Sequence, residues 1–211
     1  MKKALSVALV ALFASLLAAC STLAPWKSVP SGQQSEYGRI VTGRSVIQFI
    51  SFSDDPGISV LAVQSKSYRS SHRYAILLDG HAREELRAAC EKFEKWRDLA
   101  RANETEITRT IVTLDVTQMY EAEREWHDAG GREISLVFTS RVDSGGNQKI
   151  TLTLKPSPVF MFRSLFMVYG RDFLVLDEDQ AAQFSDLIQE DAVDSGYQKA
   201  KKRQDVIDMF N

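Results

Sequence analysis

Three histidines, two cysteines and several close-set acids are the residues through which this 211-residue chain could do chemistry. Ser70-Ser71-His72 sets a hydroxyl beside an imidazole, the parts of a nucleophile and its base. No G-x-S-x-G turn accompanies them, and neighbours along a strand point to opposite faces. His81 follows Asp79 and His127 precedes Asp128, without HExxH or CxxC spacing, so no metal-ligand set is expected. Asp54-Asp55 and the stretch from Asp143 to Asn147 could offer oxygens to calcium. Neither follows the calcium-loop pattern with its distal glutamate, and hairpin turns favour the same residue types. Asp177, Glu178 and Asp179 crowd a helix start, where the helix dipole favours negative charge without a ligand. The sequence therefore predicts no catalytic residues, no metal site and no cofactor, and an enzyme is not expected.

Hydrophobic residues make up 44% and charged residues 26%, with only five prolines. That balance excludes a disordered, collagen-like or mucin-like chain. There are 26 basic and 28 acidic residues. A nucleic-acid binder normally carries a basic surplus, so no nucleic-acid partner is expected.

The N-terminus sets the location. Residues 1–20 read MKKALSVALVALFASLLAAC: two lysines, then an apolar run from Ala4 to Leu17 broken by Ser6 and Ser15. This is the layout of a secretory signal, and the run is short for a membrane-spanning helix. Leu17-Ala18-Ala19-Cys20 resembles the lipobox of bacterial lipoprotein precursors at every position. The resemblance implies a diacylglyceryl thioether on Cys20, cleavage before it and acylation of the freed amine by a chain such as palmitate. Residues 1–19 would then be a signal peptide. Acyl chains add about 0.8 kcal/mol per buried methylene, so two or three suffice for stable attachment. Ser21 follows the cysteine. By resemblance to lipoprotein sorting signals, the absence of aspartate there implies delivery to the outer rather than the inner membrane.

With Cys20 acylated, Cys90 stands alone and no intrachain disulfide forms. Leu86 and Phe93 flank Cys90 at helical spacing, which makes it a small apolar residue on a buried helix face.

The elements follow from period and punctuation. Residues 20–37 carry the lipidated cysteine and a polar tether with two prolines. Ser45 to Phe52 and Ile58 to Ser65 read as a hairpin around Asp54-Asp55-Pro56-Gly57, with Arg73 to Leu78 a third strand. Asp79 caps a helix with a stripe of Leu86, Ala89, Cys90, Phe93 and Trp96. Ile107 to Thr117 alternates as a strand with Val112, Leu114 and Val116 on one side. A polar segment, 118–131, suggests a helical turn around Glu121 to Trp126. Ile134, Leu136 and Phe138 alternate next, then Ile150, Leu152 and Leu154 after a turn. Phe173 to Leu176 is a strand, Asp177 a cap, and 178–193 a helix.

Ile76-Leu77-Leu78-Asp79 and Leu174-Val175-Leu176-Asp177 match at an offset of 98 residues, which also aligns Leu86 with Phe184. The expected fold is α+β: antiparallel strands plus helix, in two tandem ββββα-like halves (38–103 and 104–193) packed as one globular body. This element order is similar to the ββββα repeat of the Whirly and PUR families. Those families bind single-stranded nucleic acid, but no functional motif of theirs occurs here, and fold likeness does not carry function.

Two stretches remain. Residues 156–170, PSPVFMFRSLFMVYG, are unusually apolar for a connection between strands. They either pack over the sheet or expose a contact surface of Phe160, Phe162, Phe166 and Met167. The C-terminal extension, 194–211, holds Lys199, Lys201, Lys202 and Arg203 before Val206, Ile207, Met209 and Phe210. It reads as an amphipathic helix that docks on the body or touches anionic lipid, or, since the basic run is short, as a solvated extension.

The leading expectation is a non-enzymatic binding or scaffold lipoprotein, held to the membrane through Cys20, with other envelope proteins as partners. A carrier sheltering an apolar ligand between sheet and helices comes next, and a periplasmic hydrolase third.

Overall fold

In the computed structural model, which describes residues 29–43, 45–65, 73–156 and 174–210, the β-branched runs pair as one antiparallel sheet. Cys20, Ser70 to His72, and Phe160, Phe162, Phe166 and Met167 lie outside the described residues. Eight strands follow chain order across the sheet: β1 (Gln34–Val41), β2 (Ser45–Phe52), β3 (Asp55–Ser65), β4 (Arg73–Leu78), β5 (Ile107–Ala122), β6 (Glu125–Val142), β7 (Gln148–Pro156) and β8 (Leu174–Leu176). Helix α1 (Gly80–Ala102) links β4 to β5, while α2 (Glu178–Leu187) and α3 (Glu190–Asp208) follow β8. The fold is thus α+β, with strands predominating.

Both leucine–aspartate junctions behave as their chemistry dictates. Asp79 accepts the Ala82 amide at 2.9 Å at the start of α1. Asp177 accepts from the Gln180 amide at 2.9 Å, while Gln180 Oε1 accepts the Asp177 amide at 3.1 Å, closing a capping box. Each such cap contributes about 1 kcal/mol to its helix.

The stripe predicted on α1 is buried at Leu86, Ala89, Cys90 and Phe93, and the contact extends to Ala100. This helix crosses β5, β6 and β7, where Phe138 meets Phe93 and Trp96 edge-on at 5.6 and 5.7 Å between ring centres. Helix α3 lies over β1, β2 and β3 instead. Between them α2 packs on β7 and β8 and also on β1, with Phe184 against Phe49 at 5.8 Å. One core therefore joins strands from both ends of the sheet. A second buried cluster, including Ile50, Phe52, Val60, Leu77, Met119 and Trp126, lies on the other face of β2, β3 and β4. Burial on both faces explains why β2 and β3 read as nearly continuous apolar runs.

An edge strand exposes unpaired carbonyls. On β1 the amides of α2 meet them: Gln180 Nε2 donates to the Val41 carbonyl at 3.0 Å and Gln183 Nε2 to that of Arg39 at 3.2 Å. The opposite edge, β8, is only three residues long.

Four local features differ from expectation. A strand already runs from Gln34, inside the stretch read as tether. The segment around Glu121 to Trp126 is a hairpin, not a helical turn: Ala122 pairs with Glu125 across Glu123 and Arg124, whose φ values are +54° and +72°. Two consecutive left-handed residues form the turn whose twist suits a two-residue hairpin. A bulge between Thr110 and Val112 shifts the buried side of β5, so Ile111 is buried with Leu114 and Val116 while Val112 is half-buried. Finally, the helix expected over 178–193 breaks where Gln189 turns extended (ψ 153°), and α3 carries on to Asp208.

Candidate functional site

The described chain enters the sheet beside the β2–β3 turn, and the turn's acids hold it there. The Ser31 amide donates to Asp55 Oδ2 at 2.7 Å, and its hydroxyl to Asp54 Oδ2 at 3.3 Å. Gln33 and Ser53 exchange two bonds: the Gln33 amide to Ser53 Oγ at 2.9 Å, and the Ser53 amide to the Gln33 carbonyl at 3.0 Å. Ser53 Oγ donates in turn to Asp54 Oδ1 at 2.9 Å. Gly32 allows this approach at φ +85°; a Cβ there would sit 2.2 Å from Ser53 Oγ. Asp54 and Asp55 are thus spent fastening the N-terminal segment.

The C-terminal helix meets the same corner. Arg203 Nη1 donates to the Gln34 carbonyl at 3.1 Å. Between the helix and the start of β1 runs an open groove of about 660 Å³, bordered by Gln33, Ser35, Lys202, Arg203, Val206 and Ile207. Glu36 also reaches it, but its carboxylate is held by Arg39 at 2.7 Å. Basic and apolar side chains share one lip of this groove. Sequence reading found these residues but not their neighbours, since Arg203 and Gln34 are 169 positions apart.

The other candidates are dispersed. His81 is exposed on the first turn of α1, and His127 stacks on Tyr120 at 5.0 Å on the β5–β6 hairpin. Cys90 is buried, and desolvation pushes its thiol up to about 12 despite a hydrogen bond with Ser185. A thiol so raised is not a nucleophile at neutral pH. Asp143 Oδ1 accepts the amides of Gly145 (2.8 Å) and Asn147 (2.9 Å), closing its own turn. The Asn147 amide, then that of Gly145, holds its carboxyl below the usual range. Glu178 receives Arg101 at 2.8 Å. Among the described residues no three His, Cys, Asp or Glu side chains gather as a metal site, and no helix is long and apolar enough to cross a membrane. No family model, curated protein or solved structure matches this chain.

Proposed function

We propose that the protein is a bacterial envelope lipoprotein: a water-facing α+β body tied through acylated Cys20 to the outer membrane, where it acts as a binding or scaffold module for other envelope proteins. The observation that carries this reading is Leu17-Ala18-Ala19-Cys20 at the end of a lysine-led apolar run. The pinned junction at Ser31 and Gln33 supports it. A tethered body transmits any pull on its anchor through Ser31 and Gln33, and both bond to the β2–β3 turn.

The two ββββα-like runs are read as tandem halves of one body. Support comes from the matching aspartate caps, Asp79 and Asp177, each directly after a strand.

Fractionation of cells producing the wild type and Cys20→Ala tests the anchor. The wild type is expected in outer-membrane fractions and resistant to salt extraction, with the variant losing that attachment. An equally membrane-bound variant overturns the reading.

A further inference from the structure

Helix α3 outruns the body on which it packs. Val193, Gly196 and Ala200 are buried. From Lys201 to Phe210 every residue is exposed except half-buried Gln204. Four of them are large and apolar: Val206 (45% exposed), Ile207 (40%), Met209 (78%) and Phe210 (86%).

These side chains are sorted by charge around the helix. At about 100° per residue, Lys199, Lys202, Arg203, Val206, Ile207, Met209 and Phe210 fall within about 160° of the circumference. Lys201, Asp205 and Asp208 take the opposite side, where Lys201 Nζ lies 3.9 Å from Asp205 Oδ1 and Gln204 Nε2 donates to Asp208 Oδ1 at 2.7 Å. The apolar side thus carries three cations and no acid of its own helix. Across the groove the one carboxylate, Glu36, is engaged by Arg39.

Position selects the occupant. Gln33, on the groove's other lip, lies 13 residues after Cys20. At no more than about 3.5 Å per residue, that spacing spans at most about 45 Å. An acylated Cys20 therefore holds this corner within about 45 Å of lipid. Apolar residues flanked by lysine and arginine suit the headgroup boundary of an anionic bilayer, which takes up the rings and methyls and attracts the cations.

We propose that the exposed end of α3 is a second membrane contact, in which Val206, Ile207, Met209 and Phe210 enter an anionic phospholipid surface and Lys199, Lys202 and Arg203 meet its headgroups. The inference rests on the anchoring reading for its geometry. Two attachments, acyl chain and helix, fix the orientation of the body, which a single point of attachment does not.

Hydrogen exchange of the full mature protein on vesicles tests it. Vesicles of phosphatidylcholine with 30% phosphatidylglycerol are compared with pure phosphatidylcholine, and co-flotation with the neutral vesicles reads the acyl anchor separately. Exchange across 201–210 is expected to slow only on the anionic vesicles. The Lys199→Gln/Lys202→Gln pair, which spares the Arg203 contact, should weaken helix engagement about 25-fold, roughly fivefold per lysine. Phe210→Ser should weaken it too. Unchanged exchange on anionic vesicles overturns the proposal even where flotation proves the anchor. So does slowing that follows protein concentration without vesicles, which identifies a second copy as the occupant.

Discussion

Gly196 of α3 sits directly on Ser51 of β2: a Cβ at that position would lie 2.5 Å from Ser51 Oγ and 2.5 Å from the Tyr37 ring. The small residue lets the C-terminal helix approach the sheet, and Ser51 is itself fully buried. The bond from Tyr37 Oη to Ser59 Oγ at 3.2 Å runs close by, and burial raises the pKa of that phenol. Whatever α3 does, it does from this seat.

Gly196→Ala should therefore destabilise the protein although alanine favours helix. Overpacking costs about 1–3 kcal/mol, against at most about 1 kcal/mol gained in helix propensity. A lowered urea midpoint with unchanged slope is expected. An equal or higher midpoint would show that α3 is not held so tightly.

Cys90 gives a titration prediction. Its folded pKa is raised by burial to about 12 from the ordinary 9.0. The stabilising contribution is thus complete below pH 9, and is lost as pH rises through the folded value. Cys90→Ala should remove that alkaline component from a stability–pH profile. Native protein at pH 8 should leave a thiol reagent unreacted, and denaturant should release one thiol. Release of two would mean that Cys20 carries no thioether.

Asp143 behaves in the opposite sense. The Asn147 and Gly145 amides depress its carboxyl pKa. Its contribution is present above the unfolded carboxylate value and is lost as pH falls through the folded one. Asp143→Ala should flatten the acid limb of stability and speed amide exchange at Gly145 and Asn147. If the Asp143 carboxyl titrates by NMR at an ordinary aspartate pKa, the turn is not built this way.

Much of the architecture is legible in the sequence because local physics dictates it. The α1 stripe from Leu86 to Phe93, the caps at Asp79 and Asp177, and the alternation of β6 and β7 each need only neighbours in the chain. What escapes is whatever depends on distant partners or unmarked backbone. Glu123 and Arg124 make a hairpin turn without the glycine or asparagine that usually announces one. Ile111 joins the core only because a bulge inserts a residue against β6. Asp54 and Asp55 read as turn residues, but not as the partners of Ser31, which lies 23 and 24 positions away. At the C-terminus the stripe of Lys199, Lys202, Arg203, Val206 and Phe210 is visible in the sequence. Its place beside the start of β1 is not, because that depends on Arg203 reaching the carbonyl of Gln34.

The mass of the N-terminal peptide, taken from protein extracted out of native envelopes with detergent, tests the anchor most directly. We expect it to begin at Cys20, with residues 1–19 gone, a diacylglyceryl thioether on the sulfur and an acyl group on the amine. A peptide beginning at any other residue, or a Cys20 with free thiol and no added lipid mass, contradicts an acyl-anchored envelope protein.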